Sequence, residues 1–404
     1  MLMKKMLWYS DFLCPTGFGN VAEELVSRLK NTYDITVLGV NYHGEPYNIP
    51  KSRYYHLRDI PVYPARYEND LLGRQKFLNI LKGTDFDIVF LLQDTFNLVE
   101  LVEPIKEARK DKTFKYVLYF PVDADLDLEW VQAVAQADAP VTYTRYGQEK
   151  VKEHGYDVPY IYHGVNTEVF YPLTEAERTV FRKHYMKAGP EDFIVTNVNR
   201  NQPRKDLPRT LLAFLKIKER IPTARLYLHT RANDFFGNNL QKFIERHIPR
   251  DIQSSIAMPE PEVMNKLGVP HEIMRRIYGC SDVVISTSRG EGWGLSTTEA
   301  MACKIPVVMP RHTSLVEIVG NKQERGLLVD SNDVDVNVRD NERIRPIVDI
   351  MHLTHQVYQV YTHPELARRT AEVAYTWVHE HCNWDKITAQ WEEILGAEKV
   401  STGR

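Results

Sequence analysis

Long apolar runs are absent from this 404-residue chain. No stretch approaches the ~20 consecutive apolar residues that span a bilayer. The opening segment 1–10 is too short, and turns polar too soon, to read as a secretory leader. Cysteine is scarce. Cys14, Cys280, Cys303 and Cys382 stand far apart with no CxxC and no ligand spacing, which argues against a disulfide framework or a zinc motif and fits a reducing compartment. An excess of either charge is also missing: 51 Lys and Arg against 54 Asp and Glu leave a net charge of −3. The chain therefore carries no broad electrostatic footprint for nucleic acid or an anionic membrane. One basic cluster, Lys106, Arg109, Lys110, Lys112 and Lys115, reads as a solvated helix end and loop. A cytoplasmic globular protein is the expectation.

What is present supports that class. Hydrophobic residues make up 43% and charged residues 26%, a globular balance in a chain long enough for two or three domains. Short apolar runs alternate with longer amphipathic ones, as in α/β proteins with parallel sheets. In the first half, strands are expected over residues 5–9, 34–40, 88–92, 116–120, 141–143 and 160–162. A second series opens at 193–198 and continues through a helix at 210–219 and strands at 225–229, 283–286 and 306–309. Two Rossmann-like domains facing across a cleft follow from this rhythm: 1–173, a polar connection over 174–192, then 193–383. The last segment, 384–404, carries a helix with Trp384 and Trp391, and packing back on the first domain is one placement for it.

The most informative stretch is Arg289-Gly290-Glu291-Gly292-Trp293-Gly294-Leu295-Ser296-Thr297-Thr298-Glu299. A buried strand precedes it and a helix starts near Ser296, so Glu291 sits on the strand-to-helix loop and Glu299 about two turns into the helix. Glycines let backbone amides approach a ligand, and a helix start leaves N–H groups unpaired. Such a pair suits a molecule with vicinal hydroxyls at both ends and anionic groups between, which is the shape of a nucleotide sugar. Taken alone, the stretch also reads as a surface turn followed by an ordinary helix-face charge.

Three further stretches weigh against that bland reading. Pro15-Thr16-Gly17-Phe18-Gly19-Asn20 joins the first strand to the first helix. A helix N-terminus there favours an anion by roughly 0.3–1 kcal/mol, although many such turns carry glycine for packing. Asn199-Arg200-Asn201-Gln202-Pro203-Arg204-Lys205-Asp206 sets Arg200 and Lys205 at a strand end, where two cations neutralise a diphosphate; by itself it is also a solvated basic turn. His163-Gly164-Val165-Asn166-Thr167-Glu168-Val169-Phe170-Tyr171-Pro172 closes the first half and reads mainly as a hinge.

In this order the four stretches resemble the retaining GT-B glycosyltransferases of glycosyltransferase family 4, over about residues 10 to 310, with a similar terminal helix after Asn383. The resemblance implies an α/β GT-B fold and transfer of a hexose from a nucleotide-diphosphate sugar, UDP- or GDP-linked, to an unknown hydroxyl acceptor such as a glycan, lipid-linked sugar, protein or small molecule. Glu291 would hold hydroxyls of the donor sugar with the amides of Trp293, Gly294 and Leu295, and Glu299 would hold the ribose. Arg200 and Lys205 would bind the diphosphate and stabilise it as it leaves, with Gly17 and Gly19 contributing from the first domain. No metal and no obligatory cofactor are implied beyond the donor. Where many family members place a His, this chain reads Pro121-Val122-Asp123-Ala124-Asp125. Asp123 either meets the acceptor hydroxyl or caps a helix expected over 126–134, and both remain open.

Other classes stay in view. Asp123-Ala124-Asp125 is a DxD, the arrangement by which GT-A transferases hold a divalent cation, and Asp333-Val334-Asp335 is another. Sugar-nucleotide 2-epimerases share the two-domain architecture. A non-catalytic binding module would not need Arg200, Lys205, Glu291 and Glu299 together. A transferase acting on modified DNA bases gets no support from the overall charge.

Overall fold

The computed structural model describes residues 3–50, 52–186, 188–260, 264, 268–336 and 340–396; Met1, Leu2 and 397–404, parts of the terminal segments read above, lie outside them. The chain divides into two compact units, one of Met1–Gly164 with Lys266–Gly268 and Trp384–Arg404, the other of Val165–Asn265 and Val269–Asn383. Among the described residues no helix is long and apolar enough to cross a membrane.

The first unit is built on six strands: β1 (Lys4–Asp11), β2 (Tyr33–Val40), β3 (Val62–Pro64), β4 (Ile88–Leu92), β5 (Lys115–Phe120) and β6 (Ala139–Thr142). They lie in the order β3-β2-β1-β4-β5-β6, with every neighbouring pair parallel. Helices between the strands cover both faces, and for this reason the central strands read as continuous apolar runs. One face buries Tyr9, Leu91 and Leu118 against the helices Arg74–Gly83 and Thr95–Ala108. On the other, Trp8 stacks on Phe90 at 4.1 Å, and Phe90 and Tyr119 meet the fully buried Trp391 edge-on at 4.9 and 4.7 Å. Trp391 belongs to the helix Trp384–Leu395, so the C-terminal helix is part of this unit's core.

A strand over 160–162 does not form. That stretch makes a single bridge, Thr142 to Tyr160, because β6 already ends at Thr142 and offers no longer edge to pair with. Gly164 has a packing reason: a Cβ there would lie 2.3 Å from the Trp384 ring.

The second unit repeats the plan. Its strands are β7 (Phe193–Val198), β8 (Ala224–His229), β9 (Ile256–Ala257), β10 (Val283–Ile285), β11 (Val307–Pro310) and β12 (Leu327–Val329), in the order β12-β11-β10-β7-β8-β9. All neighbouring pairs are parallel. Beyond this sheet an antiparallel hairpin, β13 (Ser331–Val336) and β14 (Ile344–Val348), stands as a separate two-stranded sheet. Residues 174–192, read as a polar connection, carry the helix Glu175–Tyr185, which opens on a capping box of Thr174 and Glu177. Arg178 and Arg182 of that helix hold Asp282, whose carboxylate also accepts from the Ile194 amide at 2.6 Å.

Candidate active site

In the second unit β7 and β10 are adjacent in the sheet, and the strand order runs away from them in opposite directions. The loops leaving their carboxyl ends therefore lie at a topological switch point, the position where open parallel sheets bind ligands. The loop after β7 is residues 199–206, and the loop after β10 is residues 286–294.

Seen from the β7 side, the loop winds through a short 3-10 turn, Pro203–Lys205, and ends at Asp206 with φ of +46°. Left-handed backbone at a residue other than glycine costs energy and persists only where surroundings impose it. Here the surroundings are explicit. Arg209 and Arg289 both grip the Asp206 carboxylate, at 3.0 and 2.7 Å. The Thr287 hydroxyl lies 3.1 and 2.9 Å from the Lys205 and Asp206 carbonyls, and a buried chain through Thr210 and Asn197 backs it at 2.7 and 2.9 Å.

The same turn delivers its cations to the facing loop. Lys205 makes a direct ion pair with Glu291. Arg204 lies 3.8 Å from the other carboxylate oxygen and donates to the Gly290 carbonyl. Burial by itself pushes the Glu291 carboxyl up, but Lys205 and Arg204 outweigh it and hold the group below the usual carboxylate range. Glu291 is thus an anion at neutral pH with little exposure.

Backbone contacts fix where it points. The Glu291 amide donates to Thr313 Oγ1 at 3.1 Å, and the Ser314 hydroxyl reaches the Glu291 and Trp293 carbonyls at 2.8 and 2.7 Å. Gly294, at φ of +110°, turns the chain into the helix Leu295–Ala302, which starts without a side-chain cap. Its first-turn amides and the positive end of its dipole accordingly favour an anion or hydroxyl oxygen in front of them. Glu299, half-buried on that helix, accepts from the Tyr278 hydroxyl at 2.7 Å.

The structure thus brings Lys205 and Glu291 together, with Trp293 and Gly294 on the Glu291 loop and Leu295 opening the helix that follows. Arg200 is directed elsewhere: it pairs with Asp234 at 3.2 Å and is half exposed. Sequence reasoning passed over Arg204, which takes the place beside Glu291, and over Arg289, Thr287, Thr313 and Tyr278. Only adjacency to Lys205 and Glu291 hinted at the two arginines.

In the first unit, Gly17 opens the helix Gly17–Leu29, and Thr16 caps it by accepting from the Gly19 amide at 3.0 Å. A Cβ at Gly19 would lie 2.3 Å from the Cys14 carbonyl oxygen, so close packing requires the glycine. Asp123 lies half-buried after β5. It is not the cap considered for it, because the helix begins later, at Leu128–Val134, with Asp127 in the N-cap position. Asp125 of the same DxD is held by Lys150 at 2.9 Å. In the other DxD, Asp335 is paired with Arg289. Among the described residues no cluster of three or more His, Cys, Asp or Glu is arranged to hold a metal ion. His163 is buried on Tyr119, 2.7 Å from its hydroxyl, and desolvation lowers its pKa to about 3.

Residues 182–344 match the family model described as glycosyl transferases group 1, a span that contains Lys205, Glu291 and Glu299. A 67-residue stretch is 43% identical to O-antigen chain mannosyltransferase B of Escherichia coli, covering 17% of each chain. Over 272 residues the chain is 24% identical to the putative glycosyltransferase EpsD of Bacillus subtilis (strain 168), covering 64% of this chain and 58% of that one. Both alignments span less than two thirds of the relative's length. Among solved structures, HepE from Anabaena in complex with UDP-glucose superposes with a TM-score of 0.72 at 15% identity, over 98% of this chain and all of the other. The fold is GT-B: two parallel six-stranded sheets with alternating helices.

Proposed function

We propose that this protein is a retaining glycosyltransferase of the family 4 type that takes a hexose from a nucleotide-diphosphate sugar. The observation that carries the reading is the Lys205–Glu291 pair at the diverging ends of β7 and β10. A lysine ammonium has three donors, so Lys205 can keep Glu291 in place and still hold a diphosphate oxygen. Arg204 adds a second cation beside the same carboxylate. Their charge stabilises the diphosphate as the bond to the sugar breaks, where electrostatic preorganisation is most effective. Glu291 takes the sugar hydroxyls, the amides of Trp293, Gly294 and Leu295 support the same end, and Glu299 takes the ribose.

The UDP-glucose complex of HepE supports a nucleotide sugar as the donor class. Arg200 belongs to this reading as a diphosphate ligand that must first leave Asp234. Within the first unit, Asp123 is the ionisable group assigned to the acceptor hydroxyl, and the reaction as drawn needs no metal.

A ligand-stability screen with UDP-, GDP-, ADP- and TDP-sugars tests the donor: at 100 times its dissociation constant a donor adds roughly 2.7 kcal/mol. Product analysis should then show the free nucleoside diphosphate and an α-linked product from an α-linked donor. Inversion at the anomeric carbon, or a changed sugar still attached to its nucleotide, would overturn the assignment.

A further inference from the structure

The hairpin β13–β14 stands outside the parallel sheet of the second unit, yet one of its side chains reaches the candidate donor loop. Asp335 pairs with Arg289, two residues before Glu291. Arg289 is largely buried and is itself the hub of the two loops. Its Nε and Nη2 both lie on the Asp206 carboxylate, at 3.0 and 2.7 Å, and its amide donates to the Arg204 carbonyl at 2.8 Å. One arginine therefore ties together the turn that carries Lys205, the loop that carries Glu291, and the hairpin.

We propose that Arg289 is a positioning residue for Glu291, and that the hairpin is a brace holding it in register through Asp335. This rests on the donor-site reading above. The Lys205–Glu291 geometry depends on two loops whose strands meet only at their base, and Asp206 is kept in a left-handed conformation at the junction. Without Asp335 the guanidinium would be held from one side alone, by Nε and Nη2 on the Asp206 carboxylate. Asp335 takes up its remaining nitrogen and leaves it one orientation. The hairpin is itself stiffened: Arg345, directly across from Asp335 in the strand register, is buried and holds Asp340 at 2.9 Å. Its neighbours in the strand, Val334 and Val336, are exposed.

Hydrogen exchange on the full chain without ligand tests the brace independently of catalysis. In Asp335→Asn, amides of the 286–294 loop should exchange at least about threefold faster, with the β1–β5 peptides unchanged. Asp335→Glu should restore protection, because a longer carboxylate still reaches a guanidinium. Unchanged exchange of that loop in Asp335→Asn would overturn the inference. With whichever donor the screen identifies, Asp335→Asn and Arg289→Lys should each lower kcat by roughly fivefold to thirtyfold with a smaller change in KM. Wild-type turnover in both variants would also sink the brace, whereas a wild-type protein that turns over no nucleotide sugar would sink the donor reading and leave the exchange result to decide this one.

Discussion

Lys205 and Glu291 are 86 positions apart in the chain and form a direct ion pair. Neither belongs to the regular part of a strand or an α-helix. Each sits on a loop whose position is set by the strand behind it, and the pair exists because β7 and β10 are neighbours.

Replacing Glu291 by Gln keeps the shape and removes the charge. A charge-assisted hydrogen bond contributes on the order of 1.5–3 kcal/mol, so turnover should fall by well over tenfold while the fold stays intact. Steady-state kinetics with a matched melting curve check this. Wild-type kcat in Glu291→Gln would remove it from the site.

Glu299 should act on donor affinity more than on chemistry. In Glu299→Ala the dissociation constant for the donor's nucleoside diphosphate should rise by about tenfold, the loss of one such bond, as read by calorimetry. Tyr278→Phe, which removes the hydroxyl donating to Glu299, should produce a smaller rise in the same direction. An unchanged constant in Glu299→Ala would make it a helix-face charge.

Gly164 allows the chain to pass the Trp384 ring. A methyl group there meets ring atoms at 2.3 to 2.7 Å, and forced overpacking typically costs about 1–3 kcal/mol. Gly164→Ala should lower the unfolding free energy by that amount, read from a urea melt. Trp391→Ala, which empties a fully buried site, should cost more, about 3–5 kcal/mol. A Gly164→Ala protein as stable as wild type would mean that the ring shifts at no cost.

His163 makes stability depend on acid. Its folded pKa of about 3 lies below the unfolded value of ~6.5. Between those values the unfolded chain binds the extra proton, so stability falls as pH drops from ~6.5 toward 3 and is level above. The slope is roughly 1 kcal/mol per pH unit. Urea melts at pH 5 and pH 7 should differ less for His163→Gln than for wild type; an equal difference in both would refute the assignment.

Several parts of this arrangement were legible in the residues. The apolar run at 88–92 coincides with β4, because a strand buried on both faces needs an uninterrupted apolar sequence, and the expected strand 193–198 coincides with β7, whose apolar start is Phe193-Ile194-Val195. The hairpin β13–β14 was not among the expected elements. Asp333-Val334-Asp335-Val336 alternates with the period of a strand, yet the stretch reads first as a DxD, and its pairing with 344–348 is not local. By contrast, 160–162 looked like a strand by composition and was left without a partner edge.

The sequence by itself determined the α/β rhythm and the types of residue at the loop ends, since both are local: burial sets the apolar period, and a strand-to-helix turn needs glycine and polar groups. Tertiary structure alone decided which of those groups meet. Arg204, not Arg200, came to rest beside Glu291, and Asp335 reached Arg289 across 46 positions. Those pairings follow from the left-handed turn at Asp206 and from a hairpin outside the parallel sheet, and neither pairing leaves a periodic trace in the chain. Contacts between loops are fixed by the geometry of the sheet beneath them, so they become visible only when the sheet is assembled.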